Sequence, residues 1–284
     1  MKAGKIAVVV DSCTDVPPAD VERYGMYVVP MQVNYEGASY LDKVTITPQE
    51  VYDRLGEEVP RTSTPTPAVA AEVLERVAAD GYDQAVVVTI SSGLSSTYDL
   101  MRSVSAGEAR LRTLLVDTKN IGLGAGLVVL AVARMVEAGA TLDEIEAAAP
   151  GIVANTRVYF CVNTLEYLRR GGRIGKVTYA VGSLLDMRPV ISCNEDGVYY
   201  TVSKAKGRKL SLKRAMSCAE KFAAQFDRCV MAVANGAAVE EMTEVRRALE
   251  KKIANASAWY EGQVSPALVV HTGPGLVGIA VQGM

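Results

Sequence analysis

A mostly apolar, β-branched run at residues 86–90 (VVVTI) passes directly into a loop rich in hydroxyl groups. Such a run is typical of a strand buried on both faces, as in a parallel sheet. The loop at 91–98 (SSGLSSTY) leads into a predicted helix, so Ser95 and Ser96 are expected beside unpaired backbone N–H groups. Helix starts attract anions. The simpler interpretation, in which one of these serines only caps the helix, is equally open at this point.

Strands and helices alternate along the first half of the chain. The pattern predicts strands at residues 6–10, 28–35, 86–90 and 114–117, and helices at 18–24, 47–55, 98–106, 122–136 and 141–149. The proline-rich segment 61–67 (RTSTPTP) is predicted to be irregular, and another helix is predicted to begin after Thr66. Pro150 is expected to stop the helix predicted at 141–149. This alternation predicts a doubly wound, mostly parallel sheet.

Polar residues follow several of these strands directly. Asp11 and Ser12 follow the first strand, the hydroxyl loop at 91–97 follows the third, and Asp117 ends the fourth. Because ligands of open α/β sheets bind beyond the carboxyl ends of the strands, we expect these residues to gather on one rim.

The second half of the chain mixes a hairpin with helices. Strands are predicted at residues 157–162, 190–193, 198–202, 230–234, 257–261, 267–271 and 277–282, and helices at 165–170, 210–226, 240–254 and from 177 to before Pro189. This pattern predicts an α/β protein of two domains. Residues 1–156 form an N-terminal doubly wound domain, and residues 157–284 form a C-terminal α+β domain with a mixed sheet.

Composition excludes several classes of protein. A net charge of −2 argues against a polyanion partner, so no nucleic acid is expected. The basic run at 204–214 is interpreted first as a solvated face and second as a docking surface. Five cysteines without a CxxC spacing favour reduced thiols and a cytoplasmic location. The longest apolar run, at 121–133, falls short of the roughly 20 residues that span a bilayer, so no stable membrane insertion is expected.

Few motifs of catalytic chemistry occur. The chain has no GxxxxGK phosphate loop, and its GxGxxG at 273–278 lies too near the end for a dinucleotide fold. The single histidine, His271, cannot build a His-rich metal site, so neither a metal nor a cofactor is predicted. Ser95, His271 and Asp11 could form a catalytic triad. A small serine esterase or acyltransferase using Ser95 and His271 is therefore the alternative function, and a purely structural histidine is the simplest interpretation.

Six motifs occur in an order that resembles the DegV family. They are DSCTD at 11–15, TSTPTP at 62–67, SSGLSSTY at 91–98, VDT at 116–118, LEYLRRGGRI at 165–174 and HTGPG at 271–275. Members of this family resemble the fatty-acid-binding (FakB-type) subunits of bacterial fatty acid kinase. In that system a bound acyl chain is presented to a separate ATP-binding kinase protein, and its carboxyl group becomes an acyl phosphate. The resemblance thus implies a lipid carrier that is not itself an enzyme.

The resemblance also implies the roles of individual residues. Thr62 and Ser95 would hydrogen-bond the fatty acid carboxylate, the backbone around Ser96 would complete the cradle, and His271 would lie near the head group at the domain junction. Ser63 is a further candidate for binding the carboxylate. The surface that meets the kinase would include Arg173. Position 96 is usually glycine in the family, so contacts there are expected to differ. Candidates for the wall of the acyl tunnel, or simply for the core, are Leu165, Leu168, Val181, Leu184, Leu185 and Met187.

Overall fold

The computed structural model describes residues 5–177 and 187–284. The strands are β1 (Ile6–Asp11), β2 (Tyr27–Val29), β3 (Gln32–Tyr35), β4 (Ala38–Leu41), β5 (Arg61–Ser63), β6 (Gln84–Thr89), β7 (Arg112–Asp117), β8 (Thr156–Cys161), β9 (Val190–Cys193), β10 (Tyr199–Ser203), β11 (Cys229–Gly236), β12 (Ala256–Gln263) and β13 (Leu276–Gly283). The helices are α1 (Pro18–Arg23), α2 (Pro48–Arg54), α3 (Pro67–Ala79), α4 (Thr97–Gly107), α5 (Leu123–Glu137), α6 (Leu142–Ala154), α7 (Glu166–Arg170), α8 (Arg208–Ala223), α9 (Val239–Glu250) and α10 (Pro266–Thr272). Val181, Leu184, Leu185 and most of the helix predicted from residue 177 lie outside the described residues.

The first half is built on a parallel sheet in the order β2-β1-β6-β7. Alternate residues of β1 face opposite layers. Ala7 and Val9 pack with α3 and α4, whereas Val8 and Val10 pack with α5. Helices on both faces confirm the predicted doubly wound sheet.

The second half is built on a mixed sheet in the order β10-β9-β8-β13-β11-β12, in which β11 pairs parallel with β12 and antiparallel with β13. Helices α8 and α9 cover one face, and α5 from the first half covers the other. The α/β fold with a separate mixed sheet is therefore as predicted. The proposed boundary at residue 156 falls at the first residue of β8, and the largest apolar cluster extends across it.

The prediction of one strand at 28–35 was wrong. The chain forms β2 in the parallel sheet and β3 in a separate sheet of order β4-β3-β5. Pro30 separates the two strands because proline has no N–H with which to continue a ladder. The prediction of irregular structure from residue 61 was wrong for Arg61–Ser63, which pair with β3 because the prolines at 60 and 65 lie outside the paired residues.

The predicted end of one helix and one predicted strand were also wrong. Helix α6 continues through Pro150 to Ala154, because buried Ile145 and Ala149 pack into the core while Pro150 itself is exposed. Residues 267–271 form helix rather than strand. Pro266 occupies the first helical position, which its fixed φ favours, and Gly273 at φ +62° ends the helix. His271 thus stands at the end of a helix, in its last turn.

Candidate functional site

The central contact joins Thr62 and His271, which lie 209 residues apart in the sequence. Thr62 Oγ1 is 2.7 Å from His271 Nε2. Pairing with β3 fixes Thr62 on β5, and α10 carries His271 against it. The structure therefore brings together two residues that the sequence analysis assigned to one head-group site.

The imidazole of His271 is held neutral. Burial, followed by the nearby charge of Arg173, lowers its pKa to about 3. Its Nδ1 has no hydrogen-bond partner among residues 5–177 and 187–284. Gly171 lies directly against the ring, and a Cβ there would collide with Nδ1. The absence of a side chain at Gly171, in the LEYLRRGGRI motif, therefore lets the end of α7 approach His271 closely.

Arg173 lies beside this pair. Its Nε donates to the carbonyl of Leu94 at 3.2 Å, and its Nη1 donates to the carbonyl of Gly171 at 2.8 Å. Both acceptors are neutral carbonyls, and within residues 5–177 and 187–284 no carboxylate pairs with the guanidinium, which has five N–H donors in all. This position suits an anionic group at the His271 end of the site.

The serines differ in where their side chains lie. Ser95 is buried, with its Oγ 2.9 Å from Thr97 Oγ1, and it also accepts the N–H of Thr97 at 3.3 Å. Ser96 is exposed and makes no side-chain capping bond to α4. Ser63 donates to Gln32 at 3.0 Å and accepts from Asn34 at 3.1 Å within its own sheet. Ser95 lines the inner cavity described below together with Thr62 and His271, whereas Ser63 and Ser96 line none of the three cavities.

Three adjoining cavities extend inward from these residues. A mouth cavity of about 360 Å³ is lined by residues that include Arg61, Thr62, Arg170, Arg173 and His271. A small inner cavity of about 30 Å³ shares Thr62, Arg173 and His271 with the mouth and adds Ser95, Leu268 and Thr272. A small apolar cavity of about 40 Å³ shares Leu268 and Thr272 with the inner one. A polar entrance therefore adjoins an apolar interior through shared lining residues.

The apolar cavity lies between the mixed sheet and the start of α5. Its lining includes Ile121, Leu123, Val158, Phe160, Ala232, Ala234, Gly278 and Ala280. The sequence analysis missed this wall. Leu165 and Leu168 belong to the core, and Met187 bridges to Lys206. The signal that could have found it is the alternation of small and large residues on β11 and β13.

The predicted rim residues Asp11 and Asp117 accept backbone N–H groups at the start of the hydroxyl loop. Asp11 accepts the N–H of Ile90 at 2.7 Å and that of Cys13 at 2.9 Å, and burial raises its pKa to about 7. Asp117 accepts the N–H of Ser92 at 3.1 Å. Since Asp11 bonds to backbone N–H groups and His271 bonds to Thr62, the hypothetical triad of these two residues with Ser95 is not assembled here.

The described ranges contain no group of three or more His, Cys, Asp or Glu side chains that is placed to hold a metal ion. No helix in the same ranges has both the length and the apolar character needed to cross a membrane. The basic run at 204–214 lines none of the three cavities, and Arg208 within it is paired with Glu241 at 2.7 Å.

Comparison with known proteins agrees with this fold and with the order of the motifs. A DegV domain-containing protein of Clostridium acetobutylicum is 39% identical over 277 residues, which cover 98% of each chain. The solved structure of a fatty-acid-binding DegV family protein from Thermus thermophilus matches with a TM-score of 0.91 and 29% identity, covering 99% of this chain and 100% of that one. A stearic-acid-binding protein from Eubacterium ventriosum matches with a TM-score of 0.88 and 25% identity, covering 98% of each. The family model for DegV proteins matches residues 5–283, and this chain therefore belongs to the DegV family.

Proposed function

We propose that this protein binds one long-chain fatty acid in the cytoplasm. Its carboxylate is held by Thr62 and Ser95 beside His271, and its tail occupies the apolar cavity. The protein then presents the carboxylate to a separate, ATP-dependent fatty acid kinase. The observation that carries the proposal is that the polar mouth adjoins, through shared lining residues, an apolar cavity of about 40 Å³, which the tail would widen. The similarity to DegV proteins that bind fatty acids supports it.

The head-group residues suit a carboxylate. A carboxylate that leaves water loses several kcal/mol unless it is well hydrogen-bonded, and charged hydrogen bonds contribute about 1.5–3 kcal/mol each. If Thr62 donates its hydroxyl proton to the carboxylate, then Nε2 of His271 must carry a proton and donate to Thr62. The neutral imidazole can do this, and Arg173 supplies the favourable charge.

The apolar cavity suits the tail. Each buried methylene contributes roughly 0.8 kcal/mol, so a long acyl chain gains over roughly 10 kcal/mol before the costs of binding. This contribution exceeds that of the head group. Affinity therefore comes mainly from the tail, and the mouth fixes the orientation.

Presentation follows from the same orientation. The carboxylate lies at the mouth, where Arg61 and Arg170 are exposed, while the tail stays buried. A carboxylate oxygen then attacks the γ-phosphorus of ATP held by the kinase, and the bond to ADP breaks as the acyl phosphate forms. The residues of this chain only bind and orient the acid, and Arg173 is proposed to meet the kinase. No observation favours the alternative esterase or acyltransferase, because Ser95 is bonded to Thr97 and not to His271.

The test is organic extraction of the purified protein followed by mass spectrometry. We expect roughly one fatty acid per chain, and its absence would contradict the proposal. Thr62→Ala and Ser95→Ala should lose most of the lipid and, with it, thermal stability, because a ligand that binds only the native state stabilises it. The neighbouring variants Ser63→Ala and Ser96→Ala are matched controls and should retain lipid.

Two further assays separate the functions. With ATP and a fatty acid kinase ATP-binding protein, the loaded protein should yield an acyl phosphate, which hydroxylamine traps as a hydroxamate. A fluorophosphonate should leave Ser95 unlabelled, and labelling of Ser95 would favour the esterase instead.

A further inference from the structure

We propose that Asp42 and Asp15 are positioning residues of the head-group site, which act by fixing the start of α10. The inference rests on the proposed function, since it concerns how the fatty acid site is held in shape. Neither carboxylate lines the mouth or the inner cavity. Their effect on the ligand passes through the helix that ends at His271 and Thr272.

The two carboxylates replace the missing cap of α10. Ser265 is the N-cap residue, but its side chain makes no capping bond to the helix. Asp42 instead accepts the N–H of Ala267 at 2.8 Å, and Asp15 accepts the N–H of Ser265 at 3.2 Å. The first N–H groups of a helix have no partner within it, so these long-range bonds satisfy donors that would otherwise be buried and unpaired.

The loops that carry Asp15 and Asp42 are joined to each other. Asp15 has φ +52° and Lys43 has φ +62°, a conformation that such residues keep only when their surroundings hold it. Lys43 Nζ lies 2.7 Å from Asp15 Oδ1 and joins the two loops. Asp42 is fully buried and Asp15 is 5% exposed, so both carboxylates are largely shielded from water.

Helix α10 transmits this anchoring to both parts of the site. It is only seven residues long, so a displacement of its first turn displaces its last. Leu268 lines the inner and apolar cavities, and His271 lines the inner cavity and the mouth. The anchored turn therefore determines whether His271 stays within reach of Thr62 and whether Leu268 keeps its place against the tail.

The test uses the fact that His271 is the only histidine of the chain. In protein labelled with isotopic histidine, one pair of imidazole nitrogen signals reports the His271 environment. The second measurement is the rate at which bound fatty acid passes to acceptor vesicles of neutral phospholipid. Asp42→Ala should shift the His271 signals and raise the transfer rate at least several-fold, because a displaced α10 no longer holds His271 and Leu268 in place. Asp42→Asn keeps an acceptor oxygen and should stay close to wild type in both.

The controls separate positioning from general damage. Asp227→Ala removes an exposed carboxylate and should change neither measurement. Asp15→Asn breaks the ion pair with Lys43 but keeps an acceptor, so it should give a smaller shift, and it replaces Asp42→Ala if that variant does not fold. Unchanged His271 signals and transfer rate in the folded variant would overturn this inference, whereas wild-type protein without fatty acid would overturn the proposed function.

Discussion

The two faces of the mixed sheet have the same strands but opposite packing. On one face, Met231 and Val233 of β11 lie with Val277 and Ile279 of β13 under α8 and α9. On the other face the alternate residues are small. Ala232 pairs with Ala280, and Ala234 pairs with Gly278, beneath the start of α5. One face is filled by the protein itself, and the other leaves a small cavity of about 40 Å³.

This difference teaches how a sheet can supply a binding cavity without a change of backbone. Protein interiors are normally packed to the density of organic crystals. A cross-strand set of alanines and a glycine removes side-chain volume from one face only, because successive side chains of a strand alternate in direction. The filled face keeps the sheet stable while the open face remains available to a ligand.

The largest expected effect comes from filling the open face. In Ala232→Leu the added side chain enters the apolar cavity, so the protein should fold but lose most of its fatty acid, and any that remains should be shorter. Extraction with mass spectrometry measures both quantities. A wild-type amount and chain length in this variant would show that the tail does not lie over β11.

The neighbouring residue tests the filled face. Met231→Ala should lower the free energy of unfolding by about 2–5 kcal/mol, because it creates a cavity in a fully buried cluster. Urea denaturation of delipidated protein measures this loss. The fatty acid content per folded molecule should stay the same, and a parallel loss of lipid would mean that the two faces are not independent.

The third prediction concerns pH at the polar end of the open face. His271 has a pKa lowered to about 3, so between about 3 and 6.5 the native state binds fewer protons than the unfolded state. Its contribution to the free energy of unfolding is therefore present above pH 6.5 and declines by up to about 1.4 kcal/mol per unit as the pH falls. Asp11 and Asp42, whose pKa values burial raises to about 7 and about 6, act in the opposite direction.

His271→Gln isolates this histidine contribution. In urea denaturation between pH 4 and 7, where the native state keeps His271 neutral while the unfolded state takes up its proton, the variant should lose less stability on acidification than wild type. Parallel curves for the two delipidated proteins would contradict a neutral, buried imidazole.

The smallest effect is expected at position 96. Ser96→Gly should change the free energy of unfolding by no more than about 0.5 kcal/mol, because Ser96 is exposed and makes no capping bond. Chemical denaturation and the fatty acid transfer rate would measure it. A large change in transfer rate would instead assign Ser96 to the carboxylate cradle.

Local signals in the sequence predicted most elements well. The segments TPQE at 47–50 and TLDE at 141–144 indicate helix starts. Helices α2 and α6 begin there with capping boxes, formed by Thr47 with Glu50 and by Thr141 with Glu144. Local signals failed where tertiary packing outweighed propensity. The apolar run at 267–271 is helical, and Asp15 and Asp42, more than 200 residues away, accept the N–H groups of Ser265 and Ala267 at the start of that helix.

The sequence by itself determined the alternation of strands and helices, the family, and the chemical type of the head-group residues. These depend on local periodicity, caps and motifs that are complete within a few residues of the chain. Only the tertiary structure decided that the Ser63 hydroxyl bonds to Gln32, that β11 and β13 align their small residues, and that α10 places His271 against Thr62. The reason is physical: strand register, side-chain direction and helix docking are set by contacts between segments far apart in sequence, and no local pattern records them.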